Sequence, residues 1–256
     1  MSLEEEVLFC SLLQAGSLQS FTDLFYLAKR QAPGEAAESL ATLKAIAQSL
    51  SDGEAARAAG DTSKLLHSLM SIGERYSGDG KFGSALMFFN RALDLARSSS
   101  DTDAELQCLE DLGKCEESMG NILAACAHHE TRRAMALAKG KVEAVASAAA
   151  AIMRLRERQA EAAEASDDFR GSLTAMEMAL DSAKQAGIPE GEARLSYSVG
   201  RSLILCGDAQ AAIVHLQNYV RANCLPCPPL ASSLPPTLHS PTHPHLQQQQ
   251  QPLQLL

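Results

Sequence analysis

The sequence has no tryptophan, only 4% aromatic residues over 256 positions, and few valines and isoleucines. Sheets are built from β-branched and aromatic side chains, so this shortage excludes a large one. No apolar run is long enough to cross a bilayer. The longest, Ala144 to Met153, is mostly Ala and Ser, whereas a span needs about 20 apolar residues. Basic runs are also absent. Acidic residues outnumber basic ones by 31 to 22, the formal charge is −9, and every charged side chain lies at or before Arg221. Such a chain offers no electrostatic footprint to nucleic acid or to an anionic membrane. The opening MSLEEEVLFC carries three Glu where a secretory leader has Lys or Arg, which reads as a protein that is not secreted. Seven cysteines, at 10, 108, 115, 126, 206, 224 and 227, form an odd and irregular set. In the reducing cytosol they read as small thiols used in helix packing.

What is present is a helix-forming composition and a period. In Leu69 to Leu93, LMSIGERYSGDGKFGSALMFFNRAL, small residues alternate with large ones at fixed spacing. Gly73 and Ala85 are small so that two antiparallel helices can cross closely, while Tyr76 and Phe89 fill the space on either side. A single hairpin of this kind cannot bury its own apolar face, so copies are expected beside it. Gly73, Gly80, Ala85 and Leu69 recur as Gly113, Gly120, Ala125 and Leu109, all at a shift of 40. The third copy shows only its second helix, SLTAMEMALDSAKQAG, with Ser172, Met176, Ala179 and Leu180 at a shift of 47. The fourth restores the pattern in Val199, Gly200, Gly207 and Ala212, again at 40. Seven extra residues are about two helical turns. They predict a long helix from about Lys141 to Ala165 and one protruding hairpin.

Three regions follow. Residues 1–62 form an N-terminal helical region, with helical patterns in LEEEVLFCSLL and SFTDLFYLAKRQ. Gly16 is read as the stop between them, Ser20 as an N-cap with Asp23 three residues on, and Ala32-Pro33-Gly34 as a break. A helix from about Glu35 to Leu50 then closes at Ser51-Asp52-Gly53, leaving a connector to Thr62. Residues 63–222 hold four repeats, at about 63–100, 101–140, 141–187 and 188–222. Gly187 and Gly207 suit helix ends, Pro189 a first turn, and Asp167 or Asp208 an N-cap. Residues 223–256 contain eight of the ten prolines, a run of five Gln and no charge. That composition reads as disordered, and the change falls where the repeat predicts a helix, as when a coding sequence runs past an exon boundary.

Residues with chemical potential are better explained by packing. Gly78, Gly80 and Gly83 spell G-x-G-x-x-G, but they sit between two helices rather than after a strand. His128-His129-Glu130 lacks the i, i+4 histidine spacing of a zinc protease and lies at packing positions. Cys224 and Cys227 form C-x-x-C without a second pair, and Asp167-Asp168 reads as a helix cap. No catalytic arrangement can be assembled, so no enzyme activity, cofactor, metal or small-molecule substrate is expected.

The repeat resembles the tetratricopeptide family. Its 40-residue version is similar to that of the G-protein-signalling modulators and of a tetratricopeptide family of motile cilia and sperm flagella. Likeness to the ciliary family is carried by SFTDLF at Ser20 to Phe25, GKCEESMGNILAACAHHETR and EARLSYSVGRSLILCGDAQAAIVHLQNYV. The resemblance implies an all-α, right-handed superhelix of antiparallel helix pairs, a TPR-type α-solenoid. It also implies a non-catalytic scaffold in the cytoplasm and the axoneme, with axonemal or ciliary-transport proteins as partners. A cytoplasmic adaptor of the G-protein-modulator kind is the alternative, though its acidic Gα-binding motifs have no counterpart in the uncharged tail. The ciliary family continues with further repeats, so this resemblance implies an apolar end face after the fourth.

In such a superhelix the first helix of each pair lines the concave side. The groove positions are then His67, Met70 and Glu74, followed by Gln107, Glu110, Lys114 and Glu117, and finally Arg194, Tyr197 and Arg201. Met70 and Glu74 stand where chaperone-tail binders of the family carry carboxylate-gripping residues, which argues against a carboxylate clamp.

Overall fold

The chain is described by a computed structural model at residues 3–29 and 40–223. Ala32-Pro33-Gly34 and the segment from 224 onward lie outside these residues. Eleven helices are present among the described residues, and no strand. They are α1 (Leu3–Gln14), α2 (Leu18–Lys29), α3 (Leu40–Ala58), α4 (Thr62–Gly78), α5 (Phe82–Ser99), α6 (Thr102–Ser118), α7 (Ile122–Ala138), α8 (Val142–Ala165), α9 (Phe169–Ala186), α10 (Pro189–Leu205) and α11 (Ala209–Asn223). Each helix packs against the next in the chain, as short connections favour antiparallel neighbours. The architecture is an all-α solenoid of the tetratricopeptide type.

Turn chemistry sets the boundaries. Asp61, Asp101, Asp168 and Asp208 each accept a backbone N–H three residues on, at Lys64, Ala104, Gly171 and Ala211. Gly187 ends α9 in the left-handed region, at φ 64°, and Pro189 opens α10. Asp167 is not a cap; it takes the left-handed position itself, at φ 59°, and Asp168 caps α9.

Two N-terminal expectations are corrected. Ser20 lies inside α2 rather than at its start. Its backbone N–H and its Oγ donate to Glu54 Oε2 at 3.0 and 2.6 Å, while the Gln19 N–H donates to Oε1 at 3.3 Å. A carboxylate reaching over from α3 therefore satisfies the orphan donors of α2. Correspondingly, α3 does not close at Ser51-Asp52-Gly53 but runs through to Ala58. Gly53 is there for close approach: a Cβ on it would stand 3.3 Å from the Ser68 Cβ of α4.

Within each repeat the helices cross at a small residue. A Cβ on Gly73 would lie 2.6 Å from the Phe89 ring, and one on Gly113 the same distance from the His129 ring. On Gly200 it would meet Leu216 at 2.9 Å. In the third pair, fully buried Ala160 and nearly buried Met176 take these positions.

The extra seven residues do not make a protruding hairpin. Helix α8 has 24 residues against 17 for α4, α6 and α10, but its partner α9 has 18, as α5 has. Contacts between successive first helices keep one register throughout. Ser77 meets Cys115 and Asp103 meets Lys141 at a separation of 38 residues. Glu117 meets Arg154, Glu157 meets Arg194, and Glu164 meets Arg201 at 37. The first half of α8 thus lies beside α6 and its second half beside α10. The extra turns displace α9–α11 along the helix direction by about 10 Å, a step in the stack.

The apolar interior follows the step. One buried cluster runs from Phe9 and Leu24 through Tyr76, Phe88 and Phe89 to Leu112 and Cys115. A second joins Met153, Ala160, Met176, Leu180, Leu195, Val199 and Leu203. Between them, among the described residues, lie two small clusters, Leu106–Ala136–Val145 and Ala125–Cys126–Leu155, with Ile152 buried beside them on α8.

Gly73→Ala is expected to cost about 1–3 kcal/mol by overpacking against Phe89. Gly83→Ala, with open space around it in the first turn of α5, is expected to be neutral or stabilising by up to about 1 kcal/mol. Urea unfolding midpoints of the two variants check the contrast.

Candidate protein-binding surface

First helices touch one another along the stack, α4 on α6 and α6 on α8, while α5, α7, α9 and α11 do not pair in this way. Closer spacing on one side makes that side concave, so the first helices line the inner face. Side chains aimed out of it meet one another along the same helix, the neighbouring helix, or another molecule.

The sequence-derived groove residues fall on these helices. His67, Glu74, Gln107, Lys114, Arg194, Tyr197 and Arg201 are exposed, and Met70, Glu110 and Glu117 are half-buried. Many of them engage one another or α8. Glu117 accepts from Arg154 at 2.9 Å and from Arg158 at 3.0 Å. Arg194 pairs with Glu157, and Arg201 with Glu164 at 2.8 Å. Lys114 bonds Glu110 at 2.7 Å, and Gln107 donates to Asp111. The Arg154 hydrogen bond holds the Glu117 carboxyl below its ordinary value. Burial opposes the same shift at Glu110, but Lys114 and Arg132 outweigh it. The inner face is therefore a lattice of mutually neutralised charges. Exposed pairs of this kind are each worth about 0–1 kcal/mol, so a partner can rearrange them at little cost.

Four residues of this lattice, Arg154, Glu157, Arg158 and Glu164, were missed in the sequence. They lie on α8, whose crossing residue is alanine rather than glycine. Ala160 stands 47 residues after Gly113 and 40 before Gly200, so the shifts found for the second helices were the signal that could have located them.

Behind the inner face, the junction of α6, α7 and α8 is polar. His129 takes the place that Phe89 fills one repeat earlier; it is 2% exposed and neither ring nitrogen has a partner. Burial, aided by Arg132, pushes it down to about 4. Beside it, buried Arg132 donates to Glu110 at 2.6 Å and to Ser147 at 2.8 Å. Arg156 donates to Glu130 and Gln159, both at 2.9 Å. His128-His129-Glu130 is thus divided among a half-buried ring, a core ring and an ion pair. No group of three or more His, Cys, Asp or Glu among the described residues is placed to hold a metal. Gly78, Gly80 and Gly83 flank the α4–α5 turn. Of the thiols, Cys108, Cys115 and Cys126 are buried, while Cys10 is exposed and Cys206 half-buried. Burial pushes Cys108 up to about 12, which makes it inert as a nucleophile. No described helix is long and apolar enough to cross a membrane.

No family model matches this sequence, and no curated protein does. Among solved structures, BtubC (BKLC) from P. vanneervenii is similar at a TM-score of 0.38 and 15% identity, over 78% of this chain and 100% of that one. Nearly identical TPR-like repeats from Podosopora anserina give 0.39 and 15%, over 86% and 92%. MamA gives 0.36 and 17%, over 69% and 91%. These likenesses are too low to carry an argument, and the fold assignment rests on this chain's own helix pairs and register. It defines a solenoid whose largest continuous feature is a surface, with the histidine and thiols of its interior sealed from solvent.

Because the folded His129 titrates about 4, below its ordinary 6.5, an unfolded chain takes up the proton first as pH falls. The stability it contributes is fully present above about 6.5 and is lost on going down to about 4. The loss is about 3 kcal/mol at most, at roughly 1.4 kcal/mol per pH unit. His129→Phe is expected to remove this component, so the difference in urea midpoint between variant and wild type should widen from pH 7 to pH 4.5.

Proposed function

We propose that this chain is a non-catalytic protein–protein interaction scaffold, acting in the axoneme of motile cilia or flagella. The observation that carries the scaffold reading is the unbroken inner face. Four first helices keep a constant register of 37–38 residues, through a step that would otherwise interrupt it. Extended peptides and helices bind such faces through side chains repeated at helical spacing. His67, Met70, Glu74, Gln107, Glu110, Lys114, Glu117, Arg194, Tyr197 and Arg201 are the positions a partner meets. Since most charges there are already paired, the favoured partner segment has low net charge and replaces hydrogen bonds one for one.

The axonemal part rests on sequence resemblance. SFTDLF, the α6–α7 segment and the α10–α11 segment are similar, in this order, to tetratricopeptide repeat protein 29. That likeness motivates partners among axonemal or ciliary-transport components and a location in the cytoplasm and the axoneme.

A tagged full-length chain expressed in a flagellated cell, followed by detergent extraction, tests both parts. Retention with the axoneme is the expected result, and a signal that washes out sinks the axonemal assignment. His67→Glu combined with Gln107→Glu, both on the exposed inner face, should lower retention several-fold with unchanged helical circular dichroism. Retention untouched by the pair would remove the inner face as the binding surface.

A further inference from the structure

Helix α7 is seated by polar groups where its counterparts are seated by hydrocarbon. A shift of 40 carries Phe88, Phe89, Ala92 and Leu93 of α5 onto His128, His129, Arg132 and Arg133 of α7, and a further 47 carries these onto Ala175, Met176, Ala179 and Leu180 of α9. All four positions are buried in α5 and in α9. In α7 the buried residues are Ala125, Cys126, His129, Arg132 and Ala136, so no apolar side chain larger than cysteine is buried there. Its polar groups are also incompletely satisfied. Both nitrogens of His129, Nε of Arg132, Nη1 of Arg133 and Nε of Arg156 on α8 are buried without a hydrogen-bond partner. The ties from α7 to its neighbours are Arg132, donating to Glu110 of α6 at 2.6 Å and to Ser147 of α8 at 2.8 Å, and Glu130, accepting from Arg156 of α8 at 2.9 Å. Apolar contact adds only Ala136 with Leu106 and Val145, and Ala125 and Cys126 with Leu155, each in a small cluster.

We propose that α7 is a releasable latch: it leaves α6 and α8 as one unit while the large apolar clusters on either side stay folded, and α8 with its exposed pairs to α6 then joins the two halves of the stack. Release is easiest where the least apolar area returns to water. Buried ion pairs add little resistance, because opening restores the hydration that folding removed, and donors without a partner gain hydrogen bonds on exposure. The flanking clusters are built almost wholly without α7. Cys108, Leu109, Leu112 and Cys115 of α6 pack with α4 and α5, where α7 contributes only half-buried Met135, and Met153 and Ala160 of α8 pack with α9 and α10. Direct contact between α6 and α8 does not pass through α7 either. It is made by Asp103 with Lys141 and by Glu117 with Arg154 and Arg158. The latch does not depend on what the inner face binds.

Three buried thiols read the release directly. Cys126 lies on α7, 1% exposed and beside Leu155, whereas Cys108 and Cys115 lie on α6, 0% and 1% exposed, in the cluster shared with α4 and α5. Full-length chain is incubated with excess iodoacetamide under native conditions, and alkylation of each cysteine is followed by peptide mass spectrometry. Cys126 should react about tenfold faster than Cys108 and Cys115, or more. His129→Phe, which copies Phe89 over a glycine crossing of the same closeness, should slow Cys126 about tenfold and leave the other two unchanged. If that variant loses helical circular dichroism, His129→Leu replaces it, after Leu216 over Gly200. Cys126 reacting no faster than Cys108 and Cys115 overturns the proposal, as does a Cys126 rate indifferent to the variant. So does a variant that slows all three thiols together, which would assign their exposure to global unfolding.

Discussion

Everything in this structure depends on how closely the two helices of a pair can cross. A hydrogen at residue 73, 113 or 200 lets the helix sixteen residues on bring a ring or a branched chain to within van der Waals contact, and at 160 a methyl faces the same cluster as Met176. This contact fixes the pair geometry, and the pair geometry fixes where the next helix lies. With so few aromatic residues, no other feature could set the spacing: Tyr76, Phe88 and Phe89 supply the largest buried side chains of the repeats, and later pairs make do with histidine, methionine and leucine.

Successive pairs are joined by different forces in different places. In the first half, hydrocarbon and aromatic packing is continuous from α1 to α6. At α7 the same positions hold His129 and Arg132, and the contacts become ion pairs, Arg132 with Glu110 and Arg156 of α8 with Glu130. Buried ion pairs contribute little net stability but are specific about geometry. They stand where the geometry changes, at the entrance to the long helix α8, beyond which the second apolar cluster begins. The junction thus trades cohesion for register: it holds the step while the inner face continues across it. Each half can be regarded as a short solenoid with its own core, linked through α8.

Much of this was legible in the sequence. Gly73 and Gly113 stood out because glycine inside a helix needs a reason, and their common shift of 40 supplied it. Ala160 was hidden for the opposite reason, since alanine in an alanine-rich helix carries no signal. Gly53 misled because a glycine that permits close approach looks the same in sequence as one that ends a helix. Ser20 misled in a related way: its serine-acid spacing imitates a capping box, but the acid that satisfies the first turn of α2 is Glu54, which no local pattern connects to it. The groove residues were placed on the right helices because periodicity decides faces. Their partners across the groove were not, because those pairings depend on the axial offset of α8, which seven inserted residues alone did not reveal.

The continuity of the inner face through the step is what makes one long surface out of two short stacks. Its most direct measurement is a pair of spin-label distances in full-length chain whose accessible cysteines are replaced by serine. Labels replacing Glu117 and Arg154 report the observed register, and labels replacing Glu117 and Glu161 report the register expected if α8 simply continued the repeat. The 117–154 distance is expected to be the shorter, by several ångströms out of the roughly 10 Å that two turns provide. A shorter 117–161 distance would contradict it: the extra turns would then protrude and the inner face would be broken at α8.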